Sequence, residues 1–203
     1  MKREDSGLFI VIEGIDGTGK STQAKMLQQA LQQAGKTVVL DHEPSDGPYG
    51  KILRDSATTG RLSPQEELDL FHKDRKHHVD ELIMPALKRG ETVILDRYYF
   101  STMAYQGQRG FDKDEIRETN LSFAPNPDIL FILDLDVDLA RERIGVRGDT
   151  TNEFEKRDAL QYCRDTFLSV SHESFAHVID SSQSIDEIHQ ELVNIALATK
   201  VSN

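Results

Sequence analysis

Eight consecutive residues near the start of the chain have the types and spacing needed to grip a phosphate group. Gly14-Ile15-Asp16-Gly17-Thr18-Gly19-Lys20-Ser21 fits the pattern G-x-x-x-x-G-K-[ST], with Thr22 following. Glycines let the backbone turn sharply, so that successive N–H groups approach phosphate oxygens closely. A helix opening at such a turn adds partial positive charge. Lys20 is placed to reach the β- and γ-phosphates, and the Ser21 hydroxyl to face Mg²⁺. The motif implies nucleotide binding without naming a reaction, because switches, motors and small-molecule kinases share it. No N-K-x-D segment for reading guanine is present, and neither Leu95-Asp96 nor Leu133-Asp134 continues as D-x-x-G. Both absences disfavour a GTPase, and a small-molecule phosphotransferase becomes the leading reading.

A second constellation suits the acceptor. Asp96-Arg97-Tyr98 follows the apolar run Thr92–Leu95. Residues just past the carboxyl end of a parallel strand line the ligand crevice. An Asp there can hold Mg²⁺, and an Arg can grip phosphate with two parallel donors. Phe71 and Arg75 are spaced i, i+4 and share one helix face. A ring that stacks beside a guanidinium that donates is what a flat base with a carbonyl edge requires.

These residues need a scaffold, and the hydrophobic pattern supplies one. Leu8–Ile12, Thr37–Leu40, Thr92–Leu95, Ile129–Leu133 and His177–Ile179 read as buried strands, being continuously apolar rather than alternating. Helices are expected over 19–34, 50–59, 64–89, 99–107, 113–123, 137–146, 153–173 and 185–199, with Pro85 kinking or ending the third near Met84. Such alternation predicts an α/β fold, a doubly wound five-stranded parallel sheet flanked by helices. Gly145–Asn152 reads as a mobile loop. With 203 residues, a single domain is expected. The net charge is −11, which argues against nucleic acid or an anionic membrane as partner. No apolar run approaches the ~18 residues of a membrane span, and the N-terminal run is too short for a signal peptide. Cys163 is the only cysteine, so no internal disulfide can form. A cytoplasmic protein is expected.

Together these stretches resemble the thymidylate kinase family. The resemblance rests on Phe9–Thr22, Glu43-Pro44, Leu70–Arg75, Val93–Gly107 and Leu133–Arg147, and runs nearly end to end. The run Asp96-Arg97-Tyr98, then Ser101, then Ala104-Tyr105-Gln106-Gly107 is more specific than the phosphate-binding turn. The resemblance implies transfer of the γ-phosphoryl of ATP to dTMP with Mg²⁺, on a P-loop NTPase-type sheet with a short lid at about 145–155, in a homodimer. It implies that Asp16 accepts from the sugar 3′-hydroxyl, that Phe71 stacks on thymine and that Arg75 donates to its O4. Arg97 and Arg54 would hold the dTMP phosphate, and Gln106 with Ser101 or Thr102 would read the pyrimidine edge. Tyr105 would pack where a ribose 2′-hydroxyl would sit. Arg143 would lie along adenine, and Arg147 on the lid would close over the transferring group, since Gly17 leaves no arginine in the turn itself.

Some positions depart from the family. His42 stands in place of an Arg before Glu43-Pro44, and Ser45-Asp46-Gly47 replaces a Gly-Gly-Thr-like turn. His72-Lys73-Asp74 replaces small residues, and Glu153 occupies a lid position where the family commonly has Arg. A kinase for another nucleoside monophosphate or nucleoside, or a nucleotide-binding relative impaired in catalysis, therefore stay as alternatives. Asp134-x-Asp136-x-Asp138 resembles a calcium loop but lacks its Gly and Glu, and reads as a helix cap. His72, His77 and His78 read as a solvated helix face, and Cys163 as a buried small side chain.

Overall fold

A strand that is apolar on both faces must be covered on both, and the fold does this with helices. The protein is described from a computed structural model covering residues 7–60, 62–146 and 157–199. Five strands, β1 (Phe9–Glu13), β2 (Val38–His42), β3 (Thr92–Asp96), β4 (Ile129–Asp134) and β5 (Ala176–Asp180), form one parallel sheet in the order β2-β3-β1-β4-β5. Alternate residues of the central strands serve opposite layers. Ile10, Ile12, Ile94, Phe131 and Leu133 pack with Leu27 and Leu31 of α1 (Lys20–Gln33) and with Ile188 and Leu192 of α9 (Ile185–Ala198). Phe9, Val11, Val93, Leu95, Leu130 and Ile132 pack on the other side. That layer holds α3 (Pro64–His78), α4 (Met84–Lys88), α5 (Tyr99–Gln108), α6 (Lys113–Leu121), α7 (Val137–Val146) and α8 (Arg157–Leu168). The doubly wound parallel sheet expected from the sequence is present.

Three expectations need adjustment. The continuous apolarity of Thr37–Leu40 predicts a buried strand, but β2 is a sheet edge and its residues are half-buried, with His42 exposed. At the other edge Val178 of β5 is 44% exposed. Edge strands are covered less, so apolarity alone overstates their burial. The long helix expected over 64–89 is divided: α3 ends at His78, a π-helical segment occupies Val79–Ile83, and α4 resumes at Met84. Pro85 sits in the first turn of α4, where its missing N–H costs little. Helix α2 (Pro48–Thr59) begins two residues before its expected start.

The sheet's geometry explains two glycines of the phosphate-binding turn. Gly14 leaves β1 with φ 144°, and a Cβ there would lie 2.5 Å from the Leu133 carbonyl oxygen of β4. Gly17 has φ 92°, and its Cβ would lie 2.7 Å from the Ala140 carbonyl oxygen of α7. Backbone meets backbone at both points, so neither neighbour can swing aside. Gly14→Ala is expected to lower the thermal midpoint by several degrees and to weaken ATP binding at least tenfold, checked by a thermal melt with and without nucleotide.

Candidate functional site

The carboxyl ends of β1, β2 and β3 deliver the chemistry-bearing residues to one trough. At the centre, Arg97 follows β3 in a left-handed backbone conformation, φ 74°, unusual for a residue with a side chain. Neighbours over-determine that geometry. Its N–H donates to the Ile12 carbonyl at 3.0 Å. The next N–H, from Tyr98, donates to Glu13 Oε1 at 2.7 Å. Glu13 also accepts from the Ser101 N–H (3.0 Å) and hydroxyl (2.7 Å). This carboxylate, the last residue of β1, thus caps the start of α5, where Tyr98 itself offers no side-chain cap. Burial raises the Glu13 pKa above the usual carboxylate range, against the opposing pull of Ser101, Arg97, the Tyr98 amide and Lys20. Sequence reasoning assigns Glu13 no role. That lone charge ending a buried strand was the available signal.

Arg97 then reaches across the trough. Its guanidinium pairs with Asp16 and donates to Tyr105 Oη at 3.2 Å and Ser101 Oγ at 3.4 Å. Lys20 Nζ donates to the Ile15 carbonyl at 2.9 Å and lies 3.7 Å from Asp16. Burial and then the Arg97 charge lower the Lys20 pKa. Ser21 Oγ is bonded to Asp96 Oδ2, while Asp96 Oδ1 is buried with no partner.

Three adjoining hollows make up the trough. One, about 190 Å³, is walled by Phe71 and Arg75 of α3, Tyr98, Thr102, Tyr105 and Gln106 of the β3–α5 segment, Glu43, and also Asp16 and Arg97. The second holds Asp16 and Arg97 again, with Gly17, Gly19, Lys20, Ser21, Thr22 and Asp96. A third shares Gly17, Gly19 and Thr22 and adds Leu139, Arg143, Gln183 and Ile185. Arg143 is tethered there by a 2.9 Å bond to the Ser181 carbonyl. Most of the residues singled out from the sequence are therefore brought together.

Arg75 is 2% exposed. It donates to Glu43 Oε2 through Nε (2.8 Å), to Asn120 Oδ1 (2.7 Å) and to Thr102 Oγ1 (3.0 Å), with Nη2 also 2.7 Å from Glu43 Oε2 in an ion pair. Gln106 Oε1 is buried without a partner. Ser101 Oγ and Thr102 Oγ1 already bond Glu13 and Arg75. Arg54 lies apart from the hollow that holds Arg97: it braces the turn after β2, donating to the Pro44 (2.8 Å) and Ser45 (2.6 Å) carbonyls and to Asp46 (2.8 Å). Arg147, Glu153 and most of the expected lid lie outside the described residues. Asp136 caps α7, accepting from the Asp138 N–H at 2.9 Å. Burial pushes the Cys163 thiol up to about 12, which fits a packing role.

The histidines are not a solvated face. His77 packs edge-on against Tyr49, with ring centroids 6.2 Å apart, and His72 is half-buried. His78 is 4% exposed, with Nδ1 3.2 Å from Glu43 Oε1 and Nε2 3.3 Å from Asp41 Oδ2. Asp74 holds the turn after β2 through the Ser45 N–H (2.7 Å) and hydroxyl (2.6 Å). Phe71, Asp74, Arg75 and His78 follow i, i+3, i+4, i+7, so one face of α3 carries them all. That spacing was legible, but three clustered histidines hid it. Among the described residues no group of three or more His, Cys, Asp or Glu could hold a metal, and no helix is long and apolar enough to cross a membrane.

A parallel doubly wound sheet whose first strand runs into a glycine-rich phosphate turn, with base-sized hollows on either side, defines a P-loop nucleotide phosphotransferase class. Comparison with known proteins narrows it. Residues 12–192 match the thymidylate kinase family. A thymidylate kinase of Xanthomonas euvesicatoria pv. vesicatoria (strain 85-10) is 48% identical over 199 residues, 97% of this chain and 87% of that protein. One from Xanthomonas campestris pv. campestris (strain B100) is 49% identical over 192 residues, 95% and 84% of the two chains. One from Xylella fastidiosa (strain M12) is 43% identical over 191 residues, 94% and 87%. The chain belongs to the thymidylate kinase family.

Burial alone would lower the His78 pKa, but hydrogen bonds and charge from Asp41 and Glu43 outweigh it and raise it to about 9. An unfolded histidine titrates near 6.5. His78 therefore contributes stability that is fully present below about pH 6.5 and is lost as pH rises through about 9. In a denaturant series from pH 6 to 10, wild type is expected to lose stability over that window, and His78→Gln to lose less.

Proposed function

We propose that this protein transfers the γ-phosphoryl group of ATP to dTMP, giving ADP and dTDP. The observation that carries the reading is the series of three hollows that share lining residues, the cleft over the glycine turn flanked by two larger pockets. ATP lies with adenine beside Arg143 and its phosphates in the Gly14–Thr22 turn. dTMP enters from the other end, its base on Phe71 and its phosphate toward Arg97. The base pocket suits thymine chemically. Hydrogen bonds within the protein use three of the five Arg75 N–H groups, one on each nitrogen, which leaves a donor for a ring carbonyl. The unpartnered Gln106 Oε1 matches the N3–H donor of the same ring edge. Ser101 and Thr102 act by holding Glu13 and Arg75. Tyr105, stacked near Arg97 (5.4 Å from guanidinium carbon to ring centre), fills the space beside the sugar, and Asp16 accepts from its 3′-hydroxyl. Arg54 supports the phosphate end through the turn it braces.

The nucleophile is a dTMP phosphate oxygen, already ionised near pH 7, so no general base is needed. It forms a bond to the γ-phosphorus as the bond to the bridging oxygen of ADP breaks. Little covalent assistance is required beyond alignment and positive charge on the equatorial oxygens. Lys20 and Arg97, which both lie against Asp16 Oδ1, supply that charge, and phosphate entering beside Lys20 favours the charged form that burial opposes. Mg²⁺ fits this end, because Ser21 and Asp96 offer hard oxygen donors and Asp96 Oδ1 is buried and unpartnered. When bound, the ion would neutralise charge on the β- and γ-phosphates. The backbone of α7 against Gly17 leaves no room for an arginine side chain in the turn, so the further cation is assigned to Arg147 in the lid. Family membership supports a homodimer in the cytoplasm.

A coupled ADP-release assay with Mg-ATP should show dTMP accelerating turnover well beyond UMP, and no acceleration by dTMP refutes the reading. Phe71→Ala is expected to raise KM for dTMP about tenfold or more with KM for ATP nearly unchanged; equal changes would make Phe71 a packing residue. Arg147→Ala is expected to lower kcat by roughly 10³; a change confined to nucleotide KM would refute the lid assignment.

A further inference from the structure

Glu43 is a buried carboxylate in the wall of the base pocket, next to Arg75. On its own it would be a poor wall for a thymine site. Thymine presents a carbonyl acceptor at ring position 4, whereas cytosine presents an amino donor there, and an unfilled carboxylate oxygen welcomes the donor. The structure shows how Glu43 is kept from that role. Arg75 Nε donates to Oε2 at 2.8 Å, with Nη2 2.7 Å from the same oxygen, and His78 Nδ1 lies 3.2 Å from Oε1. His78 is fixed from behind by Asp41 Oδ2 at 3.3 Å from Nε2. Both ring nitrogens therefore face carboxylate oxygens, and both can satisfy them only as N–H donors. Asp41, His78, Glu43 and Arg75 form a chain of alternating charge from the end of β2 to the base pocket. The chain ends on Thr102 and Asn120, so the guanidinium has one settled orientation.

We propose that His78 is a positioning residue for base selection: by donating to Asp41 and Glu43 together, it occupies Glu43 Oε1, holds the carboxylate against Arg75, and so leaves Arg75 as a donor for a 4-keto pyrimidine and withholds Glu43 as an acceptor for a 4-amino one. This rests on the assignment of the Phe71–Arg75 hollow to the acceptor base. His78 touches neither nucleotide and acts through Glu43 and Arg75. Removing its donors frees Oε1 to turn into the pocket, and it loosens Arg75 at the same time.

The test is steady-state kinetics with dTMP, dUMP and dCMP as acceptors for wild type, His78→Leu and His78→Gln. Leucine fills similar volume and donates nothing, while glutamine keeps a donor for one carboxylate. In His78→Leu, KM for dTMP is expected to rise about tenfold, KM for ATP to stay within about twofold, and the dCMP-to-dTMP ratio of kcat/KM to rise about tenfold, with dUMP tracking dTMP. His78→Gln is expected to fall between that variant and wild type. A role in folding alone would lower the melting temperature and leave the dCMP ratio where it was, and that result overturns the proposal. So does a parallel rise in KM for ATP. If His78→Leu does not fold, the glutamine variant and a ¹⁵N spectrum of the wild-type imidazole at pH 7.5 decide. Two protonated ring nitrogens support the proposal, and one bare nitrogen overturns it. Phe71→Ala separates the two layers of the argument. If it leaves KM for dTMP unchanged, the pocket assignment falls and this proposal with it; if it raises KM while His78→Leu leaves the dCMP ratio unchanged, only the role of His78 falls.

Discussion

A single buried carboxylate at the end of β1 ties the two halves of the site together. Glu13 stands immediately before the glycine turn and takes three hydrogen bonds from the start of α5. The turn that grips one phosphate and the arginine that faces the other are therefore held to one rigid strand pair. Without that link, Arg97 would have no reason to keep a backbone conformation that costs about 1–2 kcal/mol. Burying a carboxyl group also opposes its ionisation. Four nearby groups (Ser101, Arg97, the Tyr98 amide and Lys20) offset this only in part by favouring the charged form. Reaction geometry depends on that balance before any ligand arrives.

Around this link the sheet works as a ruler. All five strands run parallel, so their carboxyl ends share one edge, and residues distant in sequence meet without long loops. Asp96 falls opposite Ile12, with Arg97 just beyond it, because β1 and β3 are hydrogen-bonded in that register. The opposite side of β1 meets β4, whose Leu133 carbonyl limits Gly14. A one-residue slip in either pairing would place Arg97 or the glycine turn on the wrong side of the sheet.

Much of this was legible from residue order. Continuous apolar runs separated by helix-length stretches imply a parallel sheet covered on both faces, and Gly14–Ser21 with Asp96-Arg97 marks where its ligands go. What was not legible depends on the third dimension. The edge position of β2 halves its burial, and no local pattern says which of five similar strands will lie outermost. Arg54 shares a helix with no other site residue, and its contacts come from the turn at Pro44–Asp46, which folds back on it. His78 looked like one of three polar histidines until β2 supplied Asp41 and Glu43. Glu13 looked like a boundary until α5 brought it three donors. In each case the decisive partner lies far along the chain.

The widened turn at Val79–Ile83 divides α3 from α4 at the residue after His78. An uninterrupted helix would lock the angular position of every later side chain to that of Phe71, Arg75 and His78. With the phase reset in between, the polar half can answer to the base pocket while Ile83, Ala86 and Leu87 answer to the sheet. Changes in what the first half reads need not be re-indexed through the second. A single continuous backbone thus behaves as two separately adjustable parts, and new acceptor preferences can arise in one while the core packing of the other stays as it was.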